Sequence, residues 1–102
     1  MGSNRVIPED EISIFCEQIA MVLKSGVPLY EGLEAVCDNY KDTKYEECFL
    51  DINEDYQKGT TFYDACAKAD VFPEYMLQMI NVGEKSGKLD NVMDNLAKTR
   101  SC

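Results

Sequence analysis

Histidine and tryptophan are both missing from the 102 residues, and the first absence excludes the most. Without an imidazole the common zinc-ligand patterns are missing. A cysteine nucleophile likewise lacks its usual base. No apolar run approaches about 18 residues, so no stretch reads as a membrane span. None reads as a signal peptide either. Basic residues are scarce: 10 Lys and Arg stand against 19 Asp and Glu, for a net charge of −9. A phosphate backbone is bound by cations that displace its counterions, so nucleic acid is set aside as a partner. An anionic membrane surface is disfavoured on the same ground. The acidity reads first as a device for solubility. A basic protein partner or a divalent cation is the alternative.

What is present describes one folded domain. Hydrophobic residues make up 45% and charged residues 28%, the balance of an ordinary globular chain rather than a disordered one. Met1-Gly2-Ser3 reads as a cloning scar, so residues 1–8 are taken as scar and lead-in and residues 9–102 as the domain. The myristoylation pattern fails because Val6 stands where Ser or Thr is needed. Five cysteines occur, Cys16, Cys37, Cys48, Cys66 and Cys102, and no two have C-x-x-C spacing. Four of them fall on apolar helical stripes, which predicts reduced, buried thiols of a cytosolic compartment.

Apolar spacing and punctuation predict six helices and no strand. The first covers about residues 9–25, with Ile12, Phe15, Cys16, Ile19, Val22 and Leu23 on one face, Pro8 at its start and Gly26 at its end. The second covers about residues 28–40, with Leu29, Leu33, Val36, Cys37 and Tyr40. Gly32 lies inside it at a cost of about 1 kcal/mol relative to Ala, which a close helix crossing would explain. The third covers about residues 44–58, with Tyr45, Cys48, Phe49, Ile52 and Tyr56, and Thr43 with Glu46 has the spacing of a capping box. The fourth covers about residues 62–69, with Phe62, Ala65, Cys66 and Ala69 inward and Thr61 as N-cap. The fifth starts at Pro73 and closes at Ser86-Gly87; Met76, Met79, Ile80 and Gly83 share a face, and Phe72 precedes it as half of a hydrophobic staple. The sixth is predicted to start near Asp90 as N-cap, with Leu89, Val92, Met93 and Leu96 as its apolar positions. Short connections favour antiparallel neighbours, so the expected architecture is all-α, a compact antiparallel six-helix bundle.

Two stretches invite a chemical reading. In Val82-Gly83-Glu84-Lys85-Ser86-Gly87-Lys88-Leu89, Gly83 would admit a close helix, Gly87 would take the left-handed turn, and Leu89 would return to the core. The spacing is not that of a phosphate-binding loop, and no strand precedes it. Lys24-Ser25-Gly26 echoes Lys85-Ser86-Gly87, each between apolar helices. On helix three, Glu46, Glu47, Asp51, Glu54 and Asp55 gather on the polar side. They read as a solvated face, with a basic partner or a hard cation such as calcium as the alternative. Glu84 at a helix end is the candidate cation ligand.

The order of these features resembles a known family. Phe15, Gln18, Ile19, Leu23, Gly26, Pro28-Leu29, Leu33 and Val36 are similar to its opening pattern. Gly59 with Phe62-Tyr63-Asp64-Ala65 resembles its middle. Phe72-Pro73, Met79-Ile80 and above all Gly83, Glu84, Ser86, Gly87 and Leu89 resemble its closing signature. The family is the F-type platform protein of type II secretion, PilC-like in type IV pilus systems, and the resemblance covers about residues 13–98. It implies a non-enzymatic cytoplasmic domain, one of two in a parent embedded in the bacterial inner membrane, the N-terminal one being favoured. It also implies docking to a cytoplasmic assembly ATPase, to accessory platform proteins and to another copy of the domain. A free-standing soluble adaptor is the alternative, and a cation-dependent dimer a third reading. The number of cysteines departs from the family pattern.

Overall fold

The computed structural model describes residues 7–98. Its elements are α1 (Glu9–Lys24), α2 (Leu29–Asp38), α3 (Glu46–Gln57), α4 (Phe62–Ala69), α5 (Glu74–Ser86) and α6 (Leu89–Lys98), with no strand among the described residues. Each helix packs on its neighbours in the chain, and α1 packs on α6 to close the ring. The molecule measures 35 × 33 × 21 Å, so its short dimension is about two helix diameters. The expected all-α six-helix bundle is therefore present.

The helix boundaries follow from local chemistry. Pro8, Pro28 and Pro73 precede α1, α2 and α5, where a missing N–H costs nothing. Thr61 caps α4, its hydroxyl accepting the Asp64 N–H at 3.0 Å. Gly26, Gly59 and Gly87 follow α1, α3 and α5 with φ of 88°, 111° and 76°. Two expected caps are differently built. Thr43 and Glu46 do not form a capping box across α3. The Thr43 hydroxyl donates to the Tyr40 carbonyl and accepts the Tyr45 N–H, while Glu46 accepts the Asp42 N–H. Asp42 has φ 69°, and that left-handed residue turns the chain so that the box is shifted one position back. At α6 the helix starts at Leu89, so Asp90 sits in the first turn instead of capping it.

Phe15 is the centre of the core. Its ring stacks on Phe72 at 5.7 Å and meets Phe49 at 5.0 Å and Phe62 at 6.5 Å, so one aromatic side chain joins α1, α3, α4 and the connector before α5. Of the core expected from the sequence, Phe15, Ile19, Leu33, Phe49, Ile52, Phe62, Phe72, Ile80 and Leu96 are buried. Leu23, Leu29 and Met79 are only half-buried. The two leucines flank the Gly26 corner and line a surface depression there. On α5 the place expected for Met79 is taken by Leu77, because the helix presents the arc of Met76, Leu77, Ile80 and Gly83 inward. Ile7, in the segment read as lead-in, is buried and donates its N–H to the Val71 carbonyl at 2.9 Å. Cys16, Cys37, Cys48 and Cys66 are buried; Cys102 lies outside the described residues.

Candidate functional site

The stretch from Gly83 to Leu89 folds as a tight corner between α5 and α6. Gly87 is left-handed at φ 76°, and the Gly87 and Lys88 N–H groups both donate to the Gly83 carbonyl, the latter at 2.9 Å. The Ser86 hydroxyl donates to the same carbonyl at 3.3 Å. Three donors thus satisfy an oxygen that a helix end would leave open. A β-carbon on Gly83 would lie 2.6 Å from Val92 Cγ2 and 3.3 Å from the Leu89 Cα. The glycine is what lets α6 fold back so closely. Leu89 is 9% exposed and seals the corner from inside.

The echo at the other end of the ring uses the same device. The Ser25 hydroxyl donates to the Val22 carbonyl at 2.8 Å, again three residues back, and Gly26 takes the left-handed turn at φ 88°. Where the second corner has Gly83 against Val92, the first has Val22 against Gly32. The glycine and the valine have exchanged helices. Both corners open onto one depression of about 330 Å³, lined by Leu23 and Leu29 from the first corner, by Gly83, Gly87 and Leu89 from the second, and by Tyr56 of α3.

Glu84 has a task the sequence did not suggest. Its two carboxylate oxygens accept the N–H groups of Phe62 at 2.6 Å and Tyr63 at 2.9 Å. A carboxylate at a helix N-terminus meets free amides and the positive end of the dipole. Glu84 therefore ties the end of α5 to the start of α4, across 22 residues of chain. Its charge also adds to burial in holding the Tyr56 phenol above its ordinary pKa. Both oxygens of the candidate cation ligand are thus bound to backbone amides. Among the described residues no group of three or more His, Cys, Asp and Glu is placed to hold a metal ion.

The acidic face of α3 does not stand alone. Asp51, Glu54 and Asp55 line a depression of about 400 Å³ that also includes Lys58 and Lys68. Lys68 lies 3.7 Å from Asp55. Glu46 and Glu47 are in the first turn, where the dipole favours them. On the far side Asp94 of α6 lies 3.1 Å from Lys24 and 3.2 Å from Lys98. Hydrogen bonds from those two lysines hold its carboxyl below the usual range. Lys24 is the lysine of the first corner, so the ion pair braces α1 against α6.

Three of the thiols are chemically quiet. Burial pushes Cys16 and Cys37 up to about 12 and Cys66 well above its ordinary value. A thiol so shifted is not a nucleophile near neutral pH. The site brings together two corners, a capping carboxylate and a depression whose lining mixes Leu23, Leu29 and Leu89 with Glu84 and Asp90, with Lys85 and Lys88 exposed beside them. Sequence reasoning found the corner residues but missed the Glu84 bridge and the burial of Ile7. Neither partner, α4 nor Val71, is near them in the chain.

The marked residues of this all-helical domain build a tight corner beside an open depression. Comparison with known proteins is more specific. Residues 15–101 match the family model of type II secretion system protein F, and the chain belongs to that family. It is 31% identical over 94 residues to the type II secretion system protein F of Vibrio cholerae, an alignment covering 91% of this chain and 23% of that protein. It is 29% identical over 87 residues to the type IV pilus assembly protein PilC of Thermus thermophilus, covering 85% of this chain and 21% of the relative. It is 30% identical over 90 residues to the protein transport protein HofC homolog of Escherichia coli, covering 87% and 22%. The chain thus spans about a fifth of the length of these relatives.

Proposed function

We propose that this domain is a non-enzymatic scaffold of the membrane platform in a type II secretion or type IV pilus machine, docking the cytoplasmic ATPase on the cytoplasmic face of the inner membrane. The observation that carries the reading is what the signature residues do. Gly83, Glu84, Ser86, Gly87 and Leu89 are all spent on backbone turns, caps and packing. They hold a surface in shape; they present no reacting group. Such a surface transmits motion of a partner to whatever the domain is joined to, because its elements are braced in pairs. No helix among the described residues is long and apolar enough to cross a membrane. In this reading the membrane-spanning parts belong to the rest of a longer parent.

Binding of the domain, and of the full-length parent, to the cognate assembly ATPase is the direct test. Saturable association that changes the rate of ATP hydrolysis is expected. Lack of both association and rate change with either form would overturn the assignment. A parent gene that continues into runs of about 20 apolar residues would agree with it.

A further inference from the structure

The net charge of −9 is not spread evenly over the fold. Helix α2 holds three acids and α3 five, together eight of the 19 in the chain, and neither helix contains any of the ten lysines and arginines. The other four helices each carry a lysine in the last turn. A charge that served solubility alone would be dispersed and mixed in sign. Concentrated here, it sets Asp51 against Glu47 and Asp55 at i,i+4 spacing, which weakens the helix. The same hairpin holds two large apolar side chains that stand half in water, Tyr30 at 55% and Leu50 at 50% exposure. Leu50 lines a depression of about 250 Å³ between the two helices, with Glu34, Asp38 and Glu46 around it. Tyr30 lies one turn before Glu34 on the same face of α2. Gln57 closes that end of the groove, its amide donating to the Tyr30 carbonyl at 2.7 Å and to the Asn53 side-chain oxygen at 3.0 Å.

We propose that the groove between α2 and α3 is the docking site of a basic amphipathic helix carried by a partner protein. Two packed helices present ridges with a groove between them, and a third helix lays an apolar stripe into such a groove. On α3 the ridge runs from Glu46 to Gln57, about 16 Å at 1.5 Å per residue, or three turns. Leu50 and Tyr30 receive the apolar stripe. Glu34, Asp38 and Glu46 receive lysines or arginines on either side of it. Lys41 also lines the depression, 3.7 Å from Asp38; both are largely exposed, and such a pair is exchanged for another at little cost. Charge decides among the other occupants. A second copy is a poor one, since no helix of this chain holds more than one lysine or arginine. Anionic lipid and nucleic acid are repelled. A metal ion would leave Leu50 and Tyr30 in water, and among the described residues no three metal-ligating side chains are placed to hold one.

The test is titration of the isotope-labelled 102-residue chain with a capped peptide of about 14 residues, its leucines on one helical stripe flanked by lysines. Salt is held at about 150 mM, where long-range attraction is screened. A scrambled peptide of the same composition keeps the charge and breaks the stripe; a third peptide has glutamate in place of lysine. Saturable amide shifts at Tyr30, Glu34, Leu50 and Asn53 are expected with the first peptide, and no saturation with the other two. Leu50→Ala should weaken binding about fivefold and Glu34→Gln about threefold. Asp51→Asn removes a charge from the α4 side of α3 and should change affinity by less than about twofold. All three positions are exposed, so folding is not at stake, and near-UV circular dichroism verifies it. Four results overturn the proposal: no saturable binding of the striped peptide, equal affinity for the scrambled one, unchanged affinity in the Leu50→Ala protein, or Asp51→Asn as costly as Glu34→Gln. No secretion or pilus component enters the titration, so its outcome is separate from that of the ATPase experiment.

Discussion

Glu84 illustrates how much one side chain can hold. Its carboxylate closes two free amides at the start of an eight-residue helix, α4, which is too short to be stable on its own. Replacing it by Ala leaves the Phe62 and Tyr63 amides without their acceptor. With the residue half-buried, about 1–3 kcal/mol of stability should be lost. That corresponds to a fall in Tm of roughly 5–15 °C, measurable by thermal unfolding. Glu84→Gln retains one acceptor oxygen and should lose less. A variant series in which Ala and Gln are equal to wild type would show that α4 does not depend on this cap. The residue scale also shows where sequence reasoning ends. The periodicity that places Gly83 and Leu89 is local, within one helix and its turn. The acceptor role of Glu84 depends on Phe62, 22 positions earlier, and no spacing rule connects them.

At the scale of elements, the two helical glycines are the crossings of two hairpins, α1–α2 and α5–α6. They differ in what an added methyl would meet. On Gly32 it would press only into the Val22 side chain; on Gly83 it would meet Val92 and also the Leu89 backbone. Ala would gain about 1 kcal/mol in helix propensity at either site. Overpacking costs about 1–3 kcal/mol, so both substitutions should destabilise, Gly32→Ala more while Val22 is in place, because its methyl would fall 2.0 Å from Val22 Cγ1. Val22→Ala should rescue Gly32→Ala in a double-mutant cycle, read from urea unfolding. Val92→Ala should rescue Gly83→Ala only in part, because the Leu89 Cα cannot move aside. Equal rescue at both corners would mean that the backbone contact at Gly83 is slack. The pairing of Lys24 with Asp94 adds a salt-sensitive brace between α1 and α6. Because the Asp94 pKa is lowered by folding, its contribution is present above the ordinary carboxylate value and disappears as pH falls through the lower one.

Over the whole molecule, the buried thiols and Tyr40 set the alkaline limit. Cys16, Cys37 and Tyr40 are each pushed up to about 12 by burial. Their folded values lie above the unfolded ones, near about 8.5 for a thiol and about 10 for a phenol. The unfolded chain therefore releases protons first as pH rises. Stability from these groups is complete below about pH 8.5 and is lost progressively toward pH 12. Urea midpoints at pH 8 and pH 10, under reducing conditions, should show a clear fall. In the same experiment a thiol reagent should label Cys16, Cys37, Cys48 and Cys66 only on unfolding. Rapid labelling of any of the four in the native protein would contradict their burial.

Six helices, their glycine and proline ends, and most of the core could be read in advance, because each depends on residues within a few positions of one another. Phe15, Ile19, Leu33, Phe49, Ile52, Phe62 and Ile80 announce themselves by helical spacing alone. Closing the ring through α1 and α6, with the Ser13 hydroxyl on the Ala97 carbonyl at 2.6 Å, was decided only in three dimensions. So were the meeting of the two Lys-Ser-Gly corners over one depression and the capping of α4 by Glu84. Local spacing records which face of a helix turns inward; which other helix that face meets, and which polar group finds a partner there, depends on contacts between residues far apart in the chain.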